Sequence, residues 1–180
     1  MQLQLVPQAA LKQIDLYVDC DETICFFHDS KWTEEAIYNI LDNALKYTES
    51  GGSIHIEVQK QELFYKISVS DTGKGIAPER QAEIFTRFYR EPEVHDQPGV
   101  GIGLYLARKI IELQNGYIEV QSEIGNGSCF CLYFPVKTNE TFITIMRSFE
   151  NVDQFVILRG ILFYSKGGYK AMNYIVETKI

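Results

Sequence analysis

Residues 39–48 read Asn-Ile-Leu-Asp-Asn-Ala-Leu-Lys-Tyr-Thr, and two faces run through them. Ile37, Ile40, Leu41, Ala44 and Leu45 recur at three- and four-residue spacing, the stripe of a helix packed on a core. Asn39, Asn43, Lys46 and Tyr47 fall at i, i+4, i+7 and i+8 and share a second face. Two amides and an ammonium aligned in this way make either a wetted surface or one wall of a polar pocket. An amide oxygen is a hard neutral ligand, suited to a magnesium ion that phosphates also hold, and Lys46 could neutralise a phosphate one turn on. The predicted helix begins around Ser30 to Thr33, with Ser and Thr as caps and Glu34 and Glu35 in its first turn. It runs to about Thr48.

Upstream, Gln8 to Gln13 reads as the end of a helix. Alternation from Ile14 to Cys20, and again at Ile24 and Phe26, predicts two short strands or a hairpin. Downstream, Glu49 to Gly52 is a turn, and Ser53 to Gln59 and Leu63 to Asp71 alternate as strands. The second strand ends in DTGKGI (71–76). A carboxylate at Asp71 could accept from an exocyclic amine such as that of adenine, while Gly73 lets backbone approach a flat ring. An Asp cap at an ordinary strand exit is the plainer reading. A short helix follows Pro78.

In IFTRFYR (84–90), Phe85 and Phe88 are expected to anchor core, and Arg87 and Arg90 are surface charges or phosphate contacts. Residues 91–99 lack periodicity and read as a mobile loop. GVGIGL (99–104) leads into a helix from Gly103 to Asn115, where backbone N–H groups and the positive helix end suit phosphate oxygens. No strand closely precedes it and the glycine spacing is wrong for a dinucleotide-binding fingerprint. Gly116 is placed to end that helix. Ile118 to Ser122 and Ser128 to Pro135 form a last strand pair around Ile124-Gly125-Asn126-Gly127.

The chain has 180 residues, 46% hydrophobic and 23% charged, the profile of one folded soluble domain. Its net charge of −7 argues against a nucleic-acid or anionic-membrane binder working through bulk electrostatics. Residues 1–136 carry 11 Lys and Arg against 20 Asp and Glu, whereas 137–180 carry 6 against 4. That change of sign suggests two segments of different history. Cys20, Cys25, Cys129 and Cys131 do not have zinc-site spacing and read as reduced structural thiols, the last two on one strand face. The apolar run Phe155 to Phe163 is broken by Arg159 and is too short to span a membrane, and the first residues lack a signal-peptide pattern. A cytoplasmic chain is expected.

The order NILDNALKYT, DTGKGI, IFTRFYR, GVGIGL resembles the N, first glycine, F and second glycine boxes of sensor histidine kinases. The resemblance covers residues 14–136, ending in GNGSCFCLYFP (125–135), which looks like the family's closing strands. It implies the Bergerat fold, a two-layer α/β sandwich of a mixed sheet and a helical layer with ATP under a lid. By the same resemblance Asn43 is the magnesium ligand, supported by Asn39, and Lys46 and Tyr47 contact phosphate and nucleotide. Asp71 accepts from the adenine amine, with Gly73, Gly75 and Ile76 shaping the adenine wall. Gly101, Ile102, Gly103 and Leu104 fall in the lid segment that wraps the phosphates, and Arg90 is expected to reach toward them. Ser128 stands where the family often has a Thr or Ser supporting the adenine contact. Val100 departs from the family, which commonly has Thr there.

Gyrase-, MutL- and chaperone-type relatives carry a Glu one turn before the magnesium Asn. Here that position is Asn39, which cannot act as a base, so a kinase is favoured over a hydrolase. Serine kinases of the anti-sigma-factor type lack IFTRFYR and a long lid and stand second. A degenerate ATP-binding interaction module stands third. None of His28, His55 or His95 lies in the helical pattern of a phosphoacceptor: His28 is expected to end a strand, His55 to lie in one, and His95 to lie in the lid. The chain is therefore expected to be the catalytic, ATP-binding domain alone, without autophosphorylation. Its expected partners are the histidine-bearing dimerisation domain of the same kinase and a response-regulator receiver domain. Residues 1–13 read as a remnant of a linker helix and 137–180 as an unassigned extension. Within the extension, Thr141 to Met146 and Gln154 to Tyr164 are β-prone, and Tyr169 to Glu177 is a short helix or a strand.

Overall fold

In the structure, a computed structural model, residues 5–21, 23–24, 26–90 and 100–136 are described, with the backbone of 163–165 and 168–170. β1 (Asp15–Cys20), β2 (Ser53–Lys60), β3 (Phe64–Asp71), β4 (Tyr117–Glu123) and β5 (Gly127–Pro135) form one mixed sheet. The spatial order is β1-β2-β3-β5-β4, with β1 parallel to β2 and every other pair antiparallel. The period-two side-chain alternation puts Ile54, Ile56, Ile67, Val69, Phe130 and Leu132 on one face, all buried. Against them pack α1 (Leu5–Leu11), α2 (Ser30–Tyr47) and α3 (Gly103–Leu113) through the stripes legible in the sequence, including Ile37, Ile40, Ala44, Ala107 and Ile111. The result is the expected two-layer α/β sandwich. β6 (Phe163–Ser165) and β7 (Gly168–Lys170) pair antiparallel in a separate hairpin.

Several local expectations change. Among the described residues only one strand, β1, forms before α2. Those between the two adopt no strand, and Phe26 instead stacks on Tyr65 with ring centroids 4.7 Å apart. His28 therefore ends no strand; its ring lies 4.8 Å from that of Phe26. The first helix is described over Leu5–Leu11, so the stretch from Gln8 does close a helix as read, and Leu5 and Ala9 are buried in the core. The N-cap of α2 is Asp29, whose carboxylate accepts from the N–H of Trp32 at 3.1 Å, and Glu34 and Glu35 lie beyond the first turn. Pro78 opens a 3-10 turn, Pro78–Arg80, and a second runs over Glu83–Phe85. Phe85 is buried, but Phe88 has φ 64 and is 66% exposed, so only one of the two anchors core. At the end of α3 the left-handed residue is Asn115 (φ 62) rather than Gly116. Gly116 follows because its N–H closes on Ile111 O at 3.0 Å and a Cβ there would strike the Tyr133 carbonyl. The predicted loop 91–99, with His95, and the β-prone stretch 141–146 lie outside the described residues. Within 154–164 only Phe163 and Tyr164 are described, in β6, and within 169–177 only Tyr169 and Lys170, in β7.

Gln114, just past α3, ties the two long helices together. Its Oε1 accepts from the Asp29 N–H at 2.6 Å, and its Nε2 donates to the hydroxyl of fully buried Thr33 at 3.1 Å and to Ile110 O at 3.3 Å. Gln114→Ala removes the side-chain partner of a buried hydroxyl, which costs about 2 kcal/mol. Urea unfolding followed through the single Trp32 is expected to show a lower midpoint with an unchanged slope.

Candidate functional site

A cavity of about 290 Å³ opens between α2, the ends of β3 and β5, and the start of α3. On the α2 side it is lined by Asn39, Asn43, Lys46 and Tyr47, the polar face read from the sequence, and by Asp42. Asn43 Nδ2 donates to Asn39 O at 2.9 Å, and Asn39 Nδ2 donates to Glu35 O at 2.8 Å. With each amide nitrogen tied back to the helix, the amide oxygens are left as the acceptors. The oxygen of Asn39 lies against the start of α3, where a Cβ on Gly103 would come within 2.8 Å of it. Lys46 forms an i,i+4 ion pair with Asp42. The last turn of this helix is held from outside by Lys12, whose ammonium donates to the carbonyls of Leu45, Lys46 and Thr48 at 2.6, 3.2 and 3.3 Å.

The far end of the cavity is built on Asp71, at the tip of β3. In the β3–β5 register it faces Ser128, and its carboxylate accepts from the N–H groups of Gly73, at 2.8 Å, and of Ser128. Burial pushes its pKa above the usual carboxylate value, against the lowering effect of those two backbone donors. Gly73 braces this carboxylate and does not itself line the cavity; a Cβ there would come within 2.6 Å of the Tyr47 carbonyl. Gly75 and Ile76 do line it. Gly75 has φ 73 and leaves no room for a Cβ beside the Glu123 carbonyl. Gly127, at φ 85, passes equally close to the backbone of Asp71.

Behind this wall is a polar brace that short-range patterns do not reveal. The Ser122 hydroxyl accepts from the Ile76 N–H at 2.8 Å, donates to Gly127 O at 2.7 Å and lies 2.9 Å from the Ser128 hydroxyl. Gln81 Nε2 donates to the carbonyls of Ile76 and Ser122. The bonds to β4 span 41 to 46 residues of sequence. Lys74 stands over the Tyr47 ring at 5.0 Å. Of the lining residues that sequence reasoning missed, Asp42 has a local signal, its i,i+4 relation to Lys46.

The third side is formed by the flanks of residues 91–99. Tyr89 and Arg90 line it from one flank, and Val100, Gly101, Ile102, Gly103 and Leu104 from the other. The flanks meet where the Phe88 N–H donates to Gly101 O at 2.9 Å. Gly101 has φ 73 and sits against the Tyr89 carbonyl too closely for a Cβ. α3 starts at Gly103 behind Ile102, which offers no side-chain cap, and Ile102, Gly103 and Leu104 line the cavity, so the first N–H groups of the helix stand at its wall. The floor holds Ile84, with Phe85 packed edge-on to Phe130 at 6.2 Å between centroids. Thus every sequence-predicted site residue except Gly73 borders one cavity.

Among the described residues no group of three or more His, Cys, Asp and Glu could hold a metal. On the α2 side the amide and carboxylate oxygens on offer come from Asn39, Asn43 and Asp42. Such a sparse set fits a magnesium ion that keeps water and takes its other ligands from phosphates. No described helix is long and apolar enough to cross a membrane.

Residues 28–138 match the family described as histidine kinase-, DNA gyrase B- and HSP90-like ATPase. The adaptive-response sensory kinase SasA of Synechococcus sp. (strain JA-3-3Ab) is 37% identical over 135 residues, which cover 74% of this chain and 36% of SasA. The sensor protein SrrB of Staphylococcus aureus (strain NCTC 8325 / PS 47) is 36% identical over 110 residues, 60% of this chain and 19% of SrrB. The chain thus spans about a third or less of the length of these relatives. In fold it is similar to the catalytic domain of the histidine kinase ThkA, with a TM-score of 0.65 at 24% identity, over 74% of this chain and 87% of that one. The motifs, the mixed sheet with its helical layer and the match over 28–138 agree, and the chain belongs to the histidine kinase-, DNA gyrase B- and HSP90-like ATPase family.

Proposed function

We propose that the cavity binds magnesium-ATP and presents its γ-phosphoryl group to a histidine on a helical dimerisation domain outside this chain, for relay to a response-regulator receiver domain. One arrangement carries the reading. The start of α3, the amide of Asn43 and the braced carboxylate of Asp71 border one cavity of about 290 Å³. The unit doing this is residues 14–136, with 1–13 as the end of a connecting helix and 137–180 as an appendage.

Each residue has a task set by its place. Asp71 accepts from the adenine amine, while Gly75 and Ile76 form the flat wall and Ser128 orients the carboxylate through its N–H. Lys46 and Arg90 supply positive charge to the phosphates, with Tyr47 beside the nucleotide, and the α3 N–H groups add the helix dipole. Gly101, Ile102, Gly103 and Leu104 let backbone rather than side chain meet the phosphate oxygens. Asn43 would hold the magnesium, which supplies charge neutralisation at the phosphate oxygens, and Asn39 supports that corner. Transfer is in line, and the domain contributes positioning and charge. Hydrolysis is disfavoured because Asn39, with its nitrogen bonded to Glu35 O, cannot take a proton from water. The relatives named above are sensor kinases, and nothing in them favours a serine kinase. ATP supply places the work in the cytoplasm.

Three outcomes test the reading. Asn43→Ala is expected to weaken nucleotide binding roughly tenfold or more in magnesium and little in chelator, measured by calorimetry. Equal affinity in both, for parent and variant alike, would overturn the assignment. Labelled ATP is expected to leave no label on this chain alone and to label an added histidine-bearing dimerisation domain of a cognate kinase; label on the isolated chain contradicts it. The third concerns pH. Because burial raises the Asp71 pKa above 3.8, this group takes up its proton at higher pH than an exposed aspartate does. Adenine nucleotide affinity should therefore fall on acidification before pH 3.8 is reached, and Asp71→Asn should lack that step. By the same sign, folding stability carried by the protonated form is full below 3.8 and is lost as pH rises through the higher folded value.

A further inference from the structure

The face of the sheet turned away from α1, α2 and α3 carries a pair of thiols that nucleotide binding does not use. Alternation along β5 sends Ser128 and Phe130 to the cavity and Cys129 and Cys131 to the opposite side. There the two sulfurs lie 3.6 Å apart, Cys129 half-buried and Cys131 1% exposed. Across the β3–β5 ladder Cys129 faces Ser70 and Cys131 faces Ser68, whose hydroxyl lies 3.9 Å from the Cys131 sulfur. On the other side stand Gln121 and Glu119 of β4. The Lys66 ammonium contributes positive charge to both sulfurs.

We propose that Cys129 and Cys131 are a peroxide-oxidisable dithiol, Cys129 being the attacking sulfur and Cys131 the resolving one. The assignment follows from exposure, since of the two only Cys129 is open to a reagent from solvent. The thiol of Cys131, the hydroxyl of Ser70 and the charge of Lys66 favour the Cys129 thiolate, while the hydrogen bond to Cys129 and burial keep the proton on Cys131. The Cys129 thiolate attacks one oxygen of hydrogen peroxide, the O–O bond breaks, and the departing hydroxide takes a proton to leave as water. The sulfenic acid formed is then attacked by Cys131. The S–O bond breaks, an S–S bond forms, and a second water leaves with the Cys131 proton. Two thiols are oxidised and one peroxide is reduced to two waters.

The bond is expected to be reversible. Residues two apart on a strand have Cα and same-face Cβ atoms roughly 6.6 Å apart, whereas a disulfide needs its Cβ atoms within about 4.5 Å, so β5 must bend locally to form the bond. A bridge there is strained and therefore readily reduced.

Both cysteines fall in one tryptic peptide, residues 110–137, apart from Cys20 and Cys25. The unmodified full chain, treated with hydrogen peroxide and mapped by mass, is expected to give this peptide lighter by two hydrogen atoms and restored by dithiothreitol. Cys131→Ser is expected to give a dimedone adduct on Cys129, and Cys129→Ser to leave Cys131 unoxidised. A peptide that stays unchanged while Cys20 is oxidised overturns the proposal. So does one that only gains oxygen, or a Cys131 that reacts equally fast without Cys129. The first measurement needs no variant and decides the matter even if neither variant folds.

Discussion

The register between β3 and β5 is the constraint on which the rest depends. Asp71 pairs with Ser128, Val69 with Phe130 and Ser68 with Cys131. A slip of β5 by one residue would turn every side chain of that strand to the opposite face. Ser128 would leave the cavity, Phe130 would lose Phe85, and the two cysteines would enter the core. The pairing is held in two ways. Hydrophobic residues on the helix side have only one register that buries them all, and Gly127 allows backbone contact with Asp71 where no other residue fits.

The helical layer then decides what the cavity can hold. α2 supplies amides and an ammonium on the face turned away from its apolar stripe, and α3 begins at the wall of the same space. Neither helix fixes its own position. Gln114 joins their opposite ends, and the glycine at Gly103 lets α3 approach Asn39 closely. A region with more acidic than basic residues can still receive a polyanion, because a few donors at short range outweigh a diffuse charge that salt screens.

Much of this was legible in the sequence where one element carries both signal and role. The α2 faces, the strand ending at Asp71 and the glycines before α3 are such cases. What escaped needed distant partners. Ser122 and Gln81 look like ordinary surface residues until the glycine loop folds over them, and Lys12 has no local reason to matter. Phe88 failed for a related reason. Its spacing from Phe85 suggested a shared helical face, but the chain leaves the 3-10 turn and Phe88 takes a left-handed conformation to meet Gly101. The single strand before α2 is another case, since alternation alone cannot say whether a neighbouring strand exists. Asp29, rather than Ser30 or Thr33, caps α2 because its carboxylate is the one that reaches a free N–H of the first turn. Three neighbouring residues of cap-forming type compete for that place, and only the path of the incoming chain selects among them.

Lys12 has a mechanical meaning. It stands just beyond α1, yet its ammonium grips the final carbonyls of α2, the turn that carries Lys46 and Tyr47. α1 therefore cannot rotate on the sheet without either breaking three charge-assisted bonds or dragging that turn with it. The Lys46 and Tyr47 end of the cavity is thereby tied to the residue that follows the first described helix.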